Sequence, residues 1–379
     1  MELERILREK RVLVCCGSGG VGKTTTAASL ALYAASIGRK TLVLTIDPAR
    51  RLANALGFAT FSRDAQLVAP ELFRAAGLEA KAELRAMMLD VGGTFDGLIE
   101  RYAKSDEVRQ RILGNKLYRN LSATLAGSHE YMAMEKLYEL YSDGDYDLIV
   151  LDTPPTRNAL DFLDAPERLV GFLDEGILKW FLKPYYSAGR AGFKLLQRGG
   201  TVILTALERV SGSGFLHDLS DFFQAFEGMY GGFRQRAELV TSLLASQETM
   251  FLLVTGPTRV AIDEAIYFYE KLREYNFGFS TFVVNRVHLS PLGERPRISD
   301  PELLAELEDA GLQEGAAKGL LDVSRQIQVL GDRNRASLGR LRESVLEDEV
   351  DYRLVPALEQ DVHDLSGLAQ IADAILAGG

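Results

Sequence analysis

A glycine-rich stretch near the N-terminus constrains the fold of this chain more than any other feature. An apolar, strand-like run from Val12 to Cys16 leads into the sequence Gly-Ser-Gly-Gly-Val-Gly-Lys-Thr at 17–24, and a helix rich in Ala and Leu is predicted over 24–37. A strand, a loop of the form Gly-x-x-x-x-Gly-Lys-Thr and a helix together make the P-loop pattern. The sequence therefore predicts an α/β P-loop NTPase fold with a mostly parallel, doubly wound sheet.

Phosphate binding accounts for the residue types in this loop. Glycines let backbone N–H groups approach phosphates, and the helix N-terminus adds unpaired donors and partial positive charge. We expect Lys23 to reach the β- and γ-phosphates and the Thr24 hydroxyl to ligate Mg²⁺. The predicted nucleotide-binding residues of the loop are Gly17, Ser18, Gly19, Gly20, Val21, Gly22, Lys23, Thr24 and Thr25.

Two aspartates follow predicted buried strands, Asp47 after 41–46 and Asp152 at the end of 147–152. Ligands of open α/β sheets bind at the carboxyl edge of the strands. Asp152 is predicted to hold Mg²⁺ through its water shell. Asp47 has two interpretations of equal weight on spacing alone: it activates the attacking water, or it caps a helix that begins at Pro48.

The remaining pattern predicts more strands and two helical blocks. Buried strands are expected at 249–255 and 279–285, and a last short strand at 352–355. Helices are expected at 79–89, 95–102, 121–140, 260–275 and 365–376, and a helix that begins at Asp300 is followed by a long helical pattern to about 347. Eight of the 18 phenylalanines lie between Phe172 and Phe233, among many glycines. This segment is interpreted either as a tightly packed helical subdomain or as a mobile apolar surface that binds a hydrophobic partner.

Composition narrows the classes of function. A net charge of −10 argues against nonspecific nucleic-acid binding, which needs a basic face. No apolar run approaches the ~18 residues of a membrane span, and the N-terminus does not resemble a signal peptide. We therefore expect a cytoplasmic protein, with peripheral membrane association left open. The two cysteines, Cys15 and Cys16, lie in the first strand and are expected to be buried and apolar rather than redox-active or metal-binding.

After the strand at 279–285 the chain continues Asn285-Arg286-Val287-His288, whereas guanine-specific P-loop proteins usually have Asn-Lys-x-Asp there. ATP is therefore favoured over GTP. The chain resembles the arsenical pump-driving and tail-anchored-protein targeting ATPase family over nearly its full length. The resemblance rests on the P-loop and on residues 45–49, 151–156, 284–285 and 355–356. These are dimeric P-loop ATPases with a deviant Walker A motif.

The resemblance implies roles for residues outside the P-loop. Asp47 activates the attacking water, Asp152 begins a second switch segment, and Asn285 and Pro356 frame adenine. It also implies a nucleotide-binding domain and a helical insert. The domain comprises 1–66, 142–165 and 247–379, and the insert 67–141 and 166–246.

Three departures from the family pattern matter. Ser18 stands where the family has a lysine that reaches the phosphates of the dimer partner. Arg50, Arg51, Arg157 or a paralogous partner could supply that charge, or hydrolysis could be slow. The zinc-binding Cys-x-x-Cys that clips the targeting ATPases together is absent, so no zinc is expected. The cysteines that bind arsenite in the pump ATPase are absent too.

The leading hypothesis is an ATPase that works as a dimeric conformational switch on Mg-ATP. It would pair with itself or with a paralogous ATPase, and act on a hydrophobic membrane-protein client or drive a membrane transporter. A P-loop small-molecule kinase or ligase is one alternative. A partitioning-type ATPase is another, although the acidic chain lacks a basic amphipathic C-terminal helix.

Overall fold

The computed structural model describes residues 2–46, 50–60, 62–115, 118, 128–154, 229–288, 300–345, 350–358 and 360–377. The chain divides into two compact units. The first comprises Met1–Met87, Tyr146–Arg157 and Gln247–Gly379, and the second comprises Met88–Asp145 and Asn158–Ser246.

The helices and strands follow one another in this order: α1 (Glu2–Glu9), β1 (Val12–Cys16), α2 (Lys23–Ser36), β2 (Thr41–Thr45), α3 (Arg50–Ala55), β3 (Gln66–Leu67), α4 (Pro70–Ala75), β4 (Leu84–Met88), α5 (Val91–Tyr102), α6 (Asp106–Gly114), α7 (Ser128–Asp143), β5 (Leu148–Asp152), α8 (Tyr230–Leu244), β6 (Thr249–Thr255), α9 (Arg259–Glu274), β7 (Phe279–Val287), α10 (Asp300–Asp309), α11 (Glu314–Val345), β8 (Tyr352–Pro356) and α12 (Leu365–Ala377).

The first unit is built on an eight-stranded sheet with the order β3-β4-β2-β5-β1-β6-β7-β8. Pairing is parallel from β2 through to β8, and β3 and β4 pair antiparallel. Every residue of β1, β2 and β5 is buried, as expected for parallel strands covered on both faces. The mostly parallel α/β sheet is thereby confirmed, with β1 near its centre.

Helix α2 is buried almost all round because its sequence is mainly Ala, Leu, Ser and Thr. Small side chains let it pack closely on the sheet on one side and on α12 on the other. The hydrophobic cluster that holds these layers together includes Leu13, Leu30, Val43, Val150, Leu368, Ile371 and Ile375. The start of α2 is therefore fixed relative to the ends of the central strands.

One helix prediction was wrong. The segment predicted as a helix over 79–89 contains strand β4, because its apolar residues are buried in the sheet beside β2 and β3. Tertiary burial overrides the helix propensity of Leu, Ala and Met there. The helical pattern predicted from Asp300 to about 347 is confirmed and forms two helices, α10 and α11, separated near Gly311, which has φ +89°.

In the second unit, α5, α6, α7 and α8 surround aromatic and charged side chains. Arg236 on α8 donates to the Glu135 carboxylate on α7 at 2.6 Å, and both side chains are buried. Burial raises the pKa of Glu135, and the Arg236 charge opposes that rise. Nearby, the rings of Phe95 and Tyr102 pack against Phe233. The predicted Phe- and Gly-rich segment falls mostly on 155–228, outside the described residues.

Helix α11 has 32 residues and is fixed to the sheet unit near its C-terminal end. Arg340 forms an ion pair with Asp263 on α9. The buried Asn334, with its amide oriented as its neighbours require, accepts from the His288 backbone N–H at 2.8 Å and donates to the Leu330 carbonyl. Neither α11 nor any other helix in the described part of the chain has the length and apolarity needed to cross a membrane.

Arg39 joins three segments of the first unit, and its loss is expected to destabilise the fold. Its guanidinium donates to the carbonyls of Leu7 at 2.8 Å, Lys10 and Asp147. We predict that Arg39→Ala lowers the free energy of unfolding by at least about 3 kcal/mol, since hydrogen bonds from a charged donor contribute about 1.5–3 kcal/mol each. Urea denaturation measures this.

Arg74→Ala is the matched control, because Arg74 is exposed and pairs only across one helical turn with Glu71. Its effect should stay within about 0.5 kcal/mol. Equal effects of the two substitutions would contradict the structural role of Arg39.

Candidate nucleotide-binding site

The P-loop occupies 17–22, between the end of β1 and the start of α2, as predicted from the sequence. Two of its glycines lie against neighbouring backbone and side-chain atoms. A Cβ on Gly17 would stand 2.0 Å from the Val254 carbonyl oxygen, and one on Gly22 would stand 2.2 Å from Asn285 Nδ2. Gly22 also has φ +99°, a conformation that residues with a Cβ rarely adopt. Only glycine fits at these two positions.

Lys23, the first residue of α2, points back into the loop. Its side chain is only 6% exposed, and Nζ donates to the Ser18 carbonyl at 2.9 Å. A buried ammonium group needs acceptors, and here a loop carbonyl supplies one. The loop therefore holds a positive charge beside the backbone N–H groups that begin α2.

Asp152 is positioned beside the P-loop by strand register. It ends β5, is 2% exposed, and pairs with Cys15 of β1 and Thr45 of β2. Thr45 Oγ1 donates to Asp152 Oδ2 at 2.9 Å, which fixes the carboxylate. The next residue, Thr153, donates from its hydroxyl to the Cys15 carbonyl at 2.9 Å. The segment after β5 is thus bonded to the strand that carries the P-loop.

The donors at this edge suit Mg²⁺. The hydroxyl of Thr24 lies in the first turn of α2, and the carboxylate of Asp152 ends the neighbouring strand. Hydroxyl and carboxylate oxygens are hard ligands, which Mg²⁺ prefers, usually while it keeps several of its waters. These two residues fit the metal that ATP hydrolysis uses.

Two hollows flank the P-loop. One, of about 600 Å³, is large enough for a nucleoside. Its lining includes Gly22, Thr24, Thr25, Asn285, His288 and Pro356. The other, of about 590 Å³, is lined by Ser18, Gly19, Gly20, Val21, Gly256, Pro257 and Arg286, among others. The structure thus brings the predicted base-framing residues, Asn285 and Pro356, to the same hollow as Thr24 and Thr25.

Residues 10–292 match the family described as anion-transporting ATPase. The chain belongs to this family. It is therefore an ATPase that binds ATP and hydrolyses it, as the resemblance in sequence implied.

Relatives in the anion-transporting ATPase family are similar over much of the chain. ATPase GET3 of Malassezia globosa is 27% identical over 296 residues, which cover 77% of this chain and 78% of that protein. ATPase get3 of Schizosaccharomyces japonicus is 26% identical over 73% of this chain and 74% of its own length. ATPase ARSA1 of Chlamydomonas reinhardtii is 30% identical over 74% of this chain but only 35% of its own length.

Some members of the site were not found from the sequence. Thr45 bonds the Asp152 carboxylate, and Arg286 donates from Nη1 to the Gly20 carbonyl at 3.3 Å. For Thr45 a signal was available, because its hydroxyl stands at the end of one predicted strand and Asp152 stands at the end of another. For Arg286 the sequence showed only a departure from the guanine-binding pattern. Its contact with the loop depends on strand register, which the sequence does not display.

The two cysteines of β1 are buried in this ATPase, and neither forms a disulfide. Burial raises the pKa of Cys16 to about 12, and burial together with the Asp152 charge raises the pKa of Cys15 well above its usual value. Both groups are neutral thiols at physiological pH. They pack as small apolar side chains under the P-loop, which is what the sequence predicted.

Several predicted residues are not placed by the structure. Asp47 and Arg157 lie outside the described residues, and the side chains of Arg50 and Arg51 are not described. The catalytic role of Asp47 and the proposed replacements for the family lysine at Ser18 therefore stay predictions.

Lys23→Ala should abolish tight Mg-ATP binding in this ATPase. The substitution removes the buried ammonium that can pair with the phosphates, and a loss of roughly 100-fold or more is expected from hydrogen bonds to charged groups. Isothermal titration calorimetry measures the affinity. Lys318→Ala is the control, because Lys318 is an exposed lysine paired with Glu314 on α11. Unchanged affinity in Lys23→Ala would exclude the loop as the phosphate site.

Proposed function

We propose that this ATPase is a dimeric conformational switch that Mg-ATP closes and hydrolysis reopens. The observation that carries the proposal is the buried Lys23 inside a P-loop that lies beside the carboxylate of Asp152. Lys23 and the loop N–H groups bind the phosphates. Thr24 and Asp152, the latter through water, would hold Mg²⁺, and the metal would neutralise charge on the phosphates. Asn285 and Pro356 frame the base.

Asp47 is proposed as the residue that orients the attacking water and accepts its proton. In the sequence it comes two residues after Thr45, the last residue of β2, and Thr45 pairs with Asp152. The carboxyl ends of adjacent parallel strands share one edge of the sheet. This strand order supports a position for Asp47 at the edge where the phosphates are proposed to bind.

The dimer is proposed to form with a second copy or with a paralogous ATPase. Ser18 leaves the family's lysine position without a charge, and a paralogous partner could provide it. The switch is proposed to act on a hydrophobic membrane-protein client or to drive a membrane transporter. Family membership and the relatives named ATPase GET3 and ATPase ARSA1 support this direction.

The energy available to such a switch is modest. ATP at ~100 times its Kd stabilises the state that binds it by about 2.7 kcal/mol. That is enough to reverse a balanced equilibrium between two arrangements but too little to refold a packed unit. The proposal therefore requires two arrangements that are close in free energy without nucleotide.

Asp47→Asn should retain ATP binding and lower turnover by roughly 10²–10⁴-fold, the usual contribution of a general base. The amide keeps the size of the side chain but cannot accept a proton. A phosphate-release assay under saturating Mg-ATP, together with calorimetry for binding, measures both quantities. Asp64→Asn changes an exposed aspartate and should leave turnover at the wild-type value. Wild-type turnover in Asp47→Asn would remove Asp47 from the mechanism.

The hydrolysis-deficient Asp47→Asn chain also provides the test of the dimer. Sedimentation velocity should show the mass doubling with Mg-ATP and not with ADP, if the partner is a second copy. Lys23→Ala should stay monomeric under both conditions. If Asp47→Asn binds ATP and remains monomeric, the homodimer is rejected. The heterodimer then predicts that Asp47→Asn, affinity-purified with Mg-ATP, recovers a paralogous ATPase. Lys23→Ala, purified in the same way, should not recover it.

A further inference from the structure

Strand β7 is irregular at the point where it reaches the P-loop. Its pairing register with β8 shifts between Val284 and Val287. Between them, Arg286 has φ +60°, one of two positive φ values among the described non-glycine residues. A side chain held in this sparsely populated region costs conformational energy, and such residues cluster at functional sites, where the conformation positions a group.

Two neighbouring side chains of the irregular segment donate hydrogen bonds to the P-loop. Asn285 Nδ2 donates to the Val21 carbonyl at 2.8 Å, and Arg286 Nη1 donates to the Gly20 carbonyl at 3.3 Å. The Arg286 backbone N–H donates to Asn285 Oδ1 at 2.9 Å, which orients that amide. Two consecutive residues of β7 therefore hold two consecutive carbonyls of the loop.

Holding these carbonyls also sets the direction of the loop's donors. In a trans peptide the C=O of one residue and the N–H of the next point in opposite directions. The Gly20 carbonyl is paired in this way with the Val21 N–H, and the Val21 carbonyl with the Gly22 N–H. With the carbonyls turned toward β7, both N–H groups turn away from it. A guanidinium on the carbonyl side polarises the peptide and strengthens its N–H donor.

We propose that Arg286 is a positioning residue for phosphate binding, whose guanidinium holds the Gly20 carbonyl, orients the Val21 N–H and adds a positive charge to the loop. The inference rests on the proposed role of the P-loop as the ATP phosphate site. Ser18 contributes no charge to the loop. The positive charge of Arg286 therefore supplements that of Lys23. Its effect grows with the charge of the ligand and is largest for ATP.

Three substitutions separate charge, contact and backbone strain. Arg286→Gln removes the charge, Arg286→Lys keeps the charge without the planar guanidinium, and Arg286→Gly removes the side chain while it accepts φ +60° without strain. Calorimetry with ATP, ADP and AMP gives the affinities, and thermal unfolding without nucleotide gives the stability. Arg74→Gln on α4 removes an exposed positive charge and should change neither quantity.

Arg286→Gln and Arg286→Gly are expected to bind ATP roughly 10-fold more weakly, the size of one hydrogen bond to a charged group. The loss should be smaller for ADP and smallest for AMP, and Arg286→Lys should fall between wild type and Arg286→Gln. Arg286→Gly should unfold at or above the wild-type temperature, so that weaker ATP binding cannot be ascribed to a damaged fold.

Unchanged ATP affinity in both Arg286→Gln and Arg286→Gly would overturn the inference. An equal loss for all three nucleotides would overturn it as well, because that pattern indicates a general distortion rather than phosphate positioning. Absence of ATP binding by the wild-type chain, or normal ATP binding by Lys23→Ala, would reject the P-loop site itself. Loss of binding in Lys23→Ala with full binding in Arg286→Gln would reject the role of Arg286 alone.

Discussion

The site depends on how closely the backbone of the P-loop passes the ends of β6 and β7. At Gly17 the carbonyl of Val254, and at Gly22 the amide of Asn285, occupy the space where a Cβ would stand. The loop is therefore packed from outside as a core is packed, by atoms of strands that come more than 200 residues later in the chain. The conformation of the P-loop thus depends on the placement of β6 and β7 beside it.

Burial of Lys23 adds a second constraint. Its ammonium donates to the carbonyl of Ser18 within the loop. In the proposed phosphate site, a negatively charged phosphate oxygen would replace the neutral Ser18 carbonyl as the acceptor. Charge-assisted hydrogen bonds are roughly twice as strong as neutral ones. The lysine is thus held in position in advance, which reduces the side-chain ordering that binding requires.

The features that the sequence predicted are those written in local patterns. The P-loop, strands β2 and β5, and the neutral buried cysteines follow from short stretches whose chemistry is specific. Strand β4 was missed because Leu84, Ala86 and Met87 favour a helix locally and become a strand through neighbours in the sheet. Arg286 was missed as a P-loop contact for a related reason: its partner, Gly20, is 266 residues away in sequence.

The attachment of α11 to the site has a mechanical consequence. The amide of Asn334 accepts from the backbone N–H of His288, which lines the hollow beside Thr24 and Asn285, and the helix extends 20 residues from there to Glu314. At 1.5 Å per residue that arm is about 30 Å long. A tilt of about 5° at the hollow therefore displaces the far end by about 3 Å, over an arm that carries the exposed side chains of Leu320 and Val323. The length of α11 would therefore amplify any tilt at the hollow into a displacement on the scale of a side chain at Glu314.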